Sequence, residues 1–251
     1  LPVQYKFRID GENWVLDPNN PETIDDGLGG ENSLLEPMTC DPWTCDSGVI
    51  GTFDWRDSVI YFVFVDRFLN GDPSNDGPIG VEQPADYQGG DWAGVIDKID
   101  EGYFNELGVN TLWISVPMDN TDASGKGVGG DTHFYSAYHG YWPVNLDQPE
   151  AHFGSLETLQ QLVSSAHAHD LKVIFDYAMN HVHAESPVYM QNQDWFWPND
   201  NGQNGNCVCG EGCGWDGEEG KRCWFTEYLP DYNFQNADAR DFSVENAISW
   251  V

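Results

Sequence analysis

The chain has 251 residues, enough for one large domain or two small ones, and 14% of them are aromatic, including 11 Trp. Acidic side chains outnumber basic ones 42 to 10, a formal net charge of −32, so the surface repels phosphate backbones and nucleic acid is not expected as a partner. Such a surface suits cations and neutral polymers, and the surplus serves solubility, as in a salty medium. There is no starting Met, no signal-like apolar stretch and no apolar run long enough to cross a membrane. The expectation is a chain that has lost a leader or is a piece of a longer protein.

Residues 1–50 differ from the rest. Tyr5-Lys6-Phe7-Arg8-Ile9 alternates like a strand, Asp10-Gly11-Glu12 is a hairpin signal, and Asn13-Trp14-Val15-Leu16 alternates again. Residues 17–32 are rich in Asp, Asn, Pro and Gly and are predicted to be loop. Two strands do not make a stable domain, so this region is predicted to be the end of an N-terminal β-sandwich plus a linker. From Trp55 strands alternate with helices. Residues 59–65, 111–116 and 172–178 are predicted as buried strands. A helix is expected over 95–107, ending at Gly108, and a second after Ser155 as N-cap, running through Leu159, Leu162 and Ala166 toward His169. Continuous apolar strands between helices imply an α/β fold with a parallel sheet covered on both faces, here as the first three βα units over 51–179. Residues 180–232 are too long for a βα loop and are predicted to be a small inserted subdomain, followed by a helix over 239–251.

The six cysteines are Cys40, Cys45, Cys207, Cys209, Cys213 and Cys223. An even count in two clusters favours disulfides and an oxidising compartment, hence a secreted or extracytoplasmic protein. Cys40 with Cys45 is the simplest pair, and the pairing of the other four stays open. The later cluster, C-x-C-x3-C-x9-C, has enough thiolates for zinc but not the usual paired C-x2-C spacing.

Chemistry concentrates where strands give way to loops. The third strand runs into Asp176-Tyr177-Ala178-Met179-Asn180-His181, a carboxylate, an amide and an imidazole at a strand end. After the first strand comes Asp66-Arg67-Phe68-Leu69-Asn70-Gly71-Asp72-Pro73-Ser74-Asn75-Asp76, which puts the hard oxygens of Asn70, Asp72, Asn75 and Asp76 in one turn, as calcium requires. It lacks the ligand spacing and closing Glu of an EF-hand, and an Asx-rich turn that binds nothing gives the same pattern. Gly89-Gly90-Asp91-Trp92 adds a carbonyl and another carboxylate.

Taken in order with Ala137-Tyr138-His139-Gly140-Tyr141-Trp142, these runs resemble the N-terminal half of an α-amylase family glycoside hydrolase over residues 55–251. The first calcium loop is also similar to that of cyclodextrin glycosyltransferases. The resemblance implies the N-terminal portion of a (β/α)8 barrel with an inserted subdomain after the third strand, and an α-glucan substrate. It implies one Ca2+ held by Asn70, Asp72, Asn75, Asp76, Asp91 and the Gly89 carbonyl, and a second to which Asn180 and Asp231 contribute. Tyr141 would stack on the sugar at the cleavage subsite, with His139 and Trp142 beside it. His181 would donate a hydrogen bond to a sugar hydroxyl, and Asp176 would hold the local geometry. A pyranose offers an apolar face to a ring and a rim of hydroxyls to polar groups, so these residue types suit it. His152, His167, His169 and His183 are assigned no role and are expected at the surface or on helices.

A retaining glycosidase needs two carboxyl groups. In the family the nucleophile lies in a Gly-x-Arg-x-Asp run after the fourth strand and the acid Glu follows the fifth; neither is within this chain, which ends at Trp250-Val251. With three of eight strands, an open sheet edge and no catalytic pair, the chain alone is expected to be inactive, and the complete protein a monomer. An α-glucan hydrolase is the leading expectation. A transglycosylase and a non-catalytic sugar- or calcium-binding homologue are the alternatives.

Overall fold

The computed structural model describes residues 3–9, 13–27, 29–35, 53–127, 130–199, 207–210 and 213–251. Cys40, Cys45 and the turn at Asp10-Gly11-Glu12 lie outside them. The chain divides into two compact units, Leu1–Asp54 and Trp55–Val251.

In the first unit β1 (Val3–Tyr5) is followed by β2 (Phe7–Ile9) and β3 (Asn13–Val15), which pair antiparallel with Phe7 opposite Val15, as the alternation predicts. The expected loop over 17–32 is not all loop. It contains β4 (Thr23–Asp25) and the start of β5 (Glu31–Leu35), which form a sheet in the order β1-β5-β4. The strands escape a composition-based reading because their turn is dense in Asp and Gly. There the Asp26 carboxylate accepts the Gly30 N–H at 3.0 Å and Asp25 accepts that of Gly27 at 2.7 Å.

The second unit is built around a parallel sheet in the order β12-β7-β6, where β6 is Ile60–Val63, β7 Thr111–Ile114 and β12 Lys172–Phe175. Each strand is shorter than the strand predicted for it. The chain leaves the ladder at the strand ends, with Asp176 N–H making a last bond of 2.9 Å to the Ile114 carbonyl. Between β6 and β7 stand α1 (Trp92–Asp100) and α2 (Tyr103–Glu106). The single helix expected over 95–107 is split because Gly102 takes a φ of +79°. It also starts earlier, since Asp91 caps it by accepting the Gly94 N–H. After β7 come β8 (Met118–Asn120), β9 (Gly125–Lys126), β10 (Phe134–Tyr135) and β11 (Pro143–Pro149), paired as β9 with β10 and β8 with β11. Helix α3 (Leu156–Ala168) has the predicted Ser155 cap. The last helices are α4 (Pro187–Gln191) and α5 (Ala237–Ser249), the latter capped by Asn236.

Strand alternation sends Val63, Leu112 and Ile114 to one face of the sheet, where they are fully buried with Trp92, Val95, Ile99, Leu159 and Leu162 of α1 and α3. The other face carries Phe62 and Trp113, with rings 5.0 Å apart and 41% and 40% exposed. The expectation of helices on both faces is therefore corrected: among the described residues one face is covered. In a closed barrel the other face is the interior, filled by side chains from the remaining strands.

The four later cysteines pair as Cys207 with Cys213 and Cys209 with Cys223, so the sulfurs are not free for zinc. No described helix is long and apolar enough to cross a membrane.

Candidate functional site

The loop between β10 and β11 and the loop after β12 meet at one end of the sheet. The Tyr141 hydroxyl donates to the Asp176 carboxylate across 35 residues of sequence. The Tyr141 N–H donates to His139 Nδ1 at 3.0 Å, and the Tyr141 carbonyl accepts from His181 Nε2 at 2.8 Å. The His139 ring stacks with Tyr141 at 5.8 Å and meets Trp142 edge-on at 4.9 Å. Trp142 is 7% exposed, and its backbone N–H donates to Asn120 Oδ1 at 2.8 Å. Thus all five residues expected to hold sugar are brought together, and His139, Tyr141, Trp142 and His181 line a cavity of 440 Å³. Tyr141 is 38% exposed there.

Burial, helped by the neighbouring His181 and Arg67, pushes the His139 imidazole down to about 4. Burial also lowers His181, with its bond to Tyr141 opposing. Burial and then the bond to Asp176 push the Tyr141 phenol up to about 12. Near neutral pH both imidazoles are uncharged, so each carries a single N–H. That of His181 is directed at the Tyr141 carbonyl, which leaves Nδ1 as an acceptor. In this geometry His181 orients Tyr141, while its Nδ1 lies 3.4 Å from the Asn180 amide nitrogen and accepts from it; the donor role expected for His181 requires the N–H to leave Tyr141.

Protonation of the His139 ring couples stability to pH. The unfolded chain binds a proton near the ordinary imidazole value, whereas the folded chain does so only near pH 4. Its contribution to stability is present above pH of about 6.5 and is lost as pH falls toward 4, by about 1–2 kcal/mol between pH 7 and 5. Urea unfolding of the wild type should weaken more between these pH values than that of His139→Gln; equal losses would refute the buried neutral ring.

A family model for the alpha-amylase catalytic domain matches residues 62–251. The chain belongs to the alpha-amylase family. It is 42% identical over 142 residues to the cyclomaltodextrin glucanotransferase of Niallia circulans, covering 54% of this chain and 19% of that protein. An Anoxybacillus alpha-amylase superposes with a TM-score of 0.64 at 32% identity, covering 79% of this chain and 39% of that one. The alpha-amylase of Geobacillus thermoleovorans, solved with acarbose, gives 0.61 at 32% identity, over 79% of this chain and 38% of that one. The chain thus spans about a fifth of the length of the curated relatives it matches.

Family enzymes generally bind calcium, and the first loop can be tested for fit. Asn70 Nδ2 lies 2.8 Å from Asp76 Oδ1, and a Cβ built on Gly89 would fall 2.5 Å from that oxygen and 2.7 Å from Asn70 Nδ2, so the three converge. Among the described residues the buried Asn75 Oδ1 has no hydrogen-bond partner, and a hard cation would satisfy it. Asp72 is turned to Ser74, whose hydroxyl and N–H hold its carboxyl below the usual range. Asp91 is fully buried and accepts from Gly71 N at 3.0 Å, Asp72 N at 2.7 Å, Gly94 N at 2.7 Å and Asn75 Nδ2 at 3.4 Å. Its carboxylate is therefore saturated by N–H donors and closes the loop. At the second place Asn180 Nδ2 donates to Asp231 Oδ1 at 3.0 Å, and burial pushes the Asp231 carboxyl up to about 7. Among the described residues no group of three or more His, Cys, Asp or Glu is arranged to hold a metal.

Sequence reasoning missed much of the cavity wall. Lys126, Tyr135, Phe225 and Tyr228 line it too. Tyr228 donates its hydroxyl to the Lys126 carbonyl at 3.0 Å and meets Trp142 edge-on at 5.2 Å, joining the Cys-containing segment to the β9–β10 hairpin. The density of aromatics from Trp224 to Tyr232 was the available signal. Of the histidines expected at the surface or on helices, His183 is instead 7% exposed and packs on Tyr228 with ring centroids 5.6 Å apart. His152 is partly buried, stacking on the buried Tyr87 at 4.0 Å while its Nε2 meets the exposed Asp122 at 3.1 Å. Both serve packing, which no local pattern announces.

Proposed function

We propose that this chain is the substrate-binding part of a calcium-dependent retaining glycosidase acting on α-glucans such as starch or maltooligosaccharides, with hydrolysis as its main reaction. The observation that carries the reading is the cleft in which Tyr141 presents a partly exposed ring, braced by His139, Asp176 and His181. An aromatic face ringed by polar groups matches a pyranose. The two catalytic carboxyl groups belong to parts of the complete enzyme beyond these residues. In this reading residues 51–179 supply the first three βα units of a (β/α)8 barrel, 180–232 an inserted subdomain, 233–251 the helix toward the fourth strand, and 1–50 the end of a β-sandwich and a linker. The disulfides suit secretion.

A second reading, an α-glucan transglycosylase, is favoured by the relatives named cyclomaltodextrin glucanotransferase. Product analysis of the complete enzyme on starch separates the two. Linear maltooligosaccharides are expected; predominantly cyclic products would replace hydrolysis by transfer, and no turnover of any α-glucan would sink both.

Asn70, Asn75, Asp76 and the Gly89 carbonyl, with Asp72 and Asp91 behind them, would hold one Ca2+, and Asn180 with Asp231 would contribute to another. The ion would order the loop after β6 against the start of α1. With free calcium at about 100 times Kd, binding adds about 2.7 kcal/mol to stability, so chelation should lower Tm by several degrees. An unchanged Tm would refute the assignment.

A further inference from the structure

Arg67 is one of ten Lys and Arg residues in the chain, yet it is turned inward, with its side chain 26% exposed. Its Nη1 donates to the Asp86 carbonyl at 2.9 Å and to the buried Asp66 carboxylate, and its Nη2 donates to the Pro84 carbonyl at 2.7 Å. Those acceptors are themselves fixed. The Asp86 carboxylate accepts the N–H groups of Ile79 at 3.1 Å, Gly80 at 2.8 Å and Val81 at 3.1 Å, and Asp66 accepts that of Gln88 at 3.0 Å. Held in this way, the guanidinium lies over the Tyr138 ring, 3.8 Å from its centroid.

Tyr138 does not line the cavity, but it shares a tight turn with a residue that does. The Ala137 carbonyl accepts the Gly140 N–H at 2.8 Å, which makes Tyr138 and His139 the two central residues of the turn. Gly140 closes it with a φ of +85°. The turn is anchored to the same segment that holds Arg67, since the Ser136 N–H donates to the Ala85 carbonyl at 3.0 Å. A shift of Tyr138 therefore carries His139 with it. His139 in turn carries Tyr141, whose backbone N–H it accepts and whose ring it stacks against. We propose that Arg67 is a positioning residue of the cleft: by pinning Tyr138 to residues 84–88 it sets the placement of His139 and the Tyr141 ring without touching the sugar. Misplacing a group at the reacting centre by about 1 Å can cost on the order of 100-fold in rate, so the effect is measurable.

The inference rests on the α-glucan reading, and kinetics of the complete enzyme on maltoheptaose, expressed per folded molecule, tell the two apart. Arg67→Met keeps the aliphatic stem but loses the charge and the donors, and should lower kcat/KM about 10- to 100-fold. In a Tyr141→Ala background the ring being positioned is already gone, so the same substitution should cost less than about threefold. Tyr138→Leu should match Arg67→Met in both backgrounds, and it carries the test alone if Arg67→Met does not fold. Tyr138→Phe keeps a ring face under the guanidinium and should retain near-wild-type kcat/KM. If the Arg67→Met and Tyr138→Leu losses are the same factor with and without the Tyr141 ring, or Tyr138→Phe loses as much as Tyr138→Leu, the positioning role is overturned and the glucan reading stands. If the wild type turns over no α-glucan, both fall.

Discussion

Replacing Tyr141 by Ala in the complete enzyme is expected to lower kcat/KM on α-glucans by about 100- to 1000-fold, as the loss of about 3–4 kcal/mol of transition-state stabilisation would produce. The variant removes the ring offered to the sugar and the hydroxyl that donates to Asp176, and it leaves His139 without the ring stacked on it. Tyr141→Phe keeps the ring and should cost about tenfold, the worth of one hydrogen bond to a charged acceptor. His181→Ala is expected to reduce kcat/KM by about 10- to 1000-fold, through one transition-state contact of about 1.5–4 kcal/mol or through the loss of the bond that orients Tyr141. The two routes differ in a double-mutant cycle: if His181 acts through Tyr141, the Tyr141→Ala and His181→Ala losses are strongly non-additive. Near-wild-type kcat/KM in Tyr141→Ala would remove this cleft from the reaction.

The largest expected loss of stability is at Asp91. Its buried carboxylate caps α1 and collects N–H groups from Gly71, Asp72 and Asn75 of the loop after β6. Asp91→Ala removes a helix cap of about 0.5–2 kcal/mol and strands further N–H donors at about 1–3 kcal/mol each, so a loss of about 3–5 kcal/mol is expected in urea unfolding. Asp91→Asn keeps one oxygen and should lose less. Because the role is one of hydrogen bonding, most of the loss should persist in chelator; a loss that vanished on chelation would make Asp91 a calcium ligand first. An unchanged unfolding midpoint would refute both roles.

What was legible in the sequence follows the range of the forces involved. The strands from 59, 111 and 172, the Ser155 cap and the β2–β3 hairpin come from periodicity and capping, which act over a few residues. The break at Gly102 was also local, but glycine inside an amphipathic run is often tolerated, so the apolar spacing outweighed it. The strands β4 and β5 were hidden because their hydrogen bonds go to each other and to β1, not to neighbours in sequence. Composition could pose the choice between zinc and disulfides for the later cysteines but not the pairing, which depends on which sulfurs the backbone brings together.

The same division runs through the site. The ordered motifs by themselves pointed to the family and, through that resemblance, to His139, Tyr141, Trp142, Asp176 and His181 as candidate site residues. Only the tertiary structure decided what each does with its hydrogen bonds: that the single N–H of a neutral His181 is directed at the Tyr141 carbonyl, that Asp91 spends its oxygens on backbone N–H groups, and that Phe225 and Tyr228 complete the wall. Those outcomes turn on burial and on partners tens of residues away, since a donor or acceptor withdrawn from water must be satisfied by whatever the fold places within about 3 Å of it.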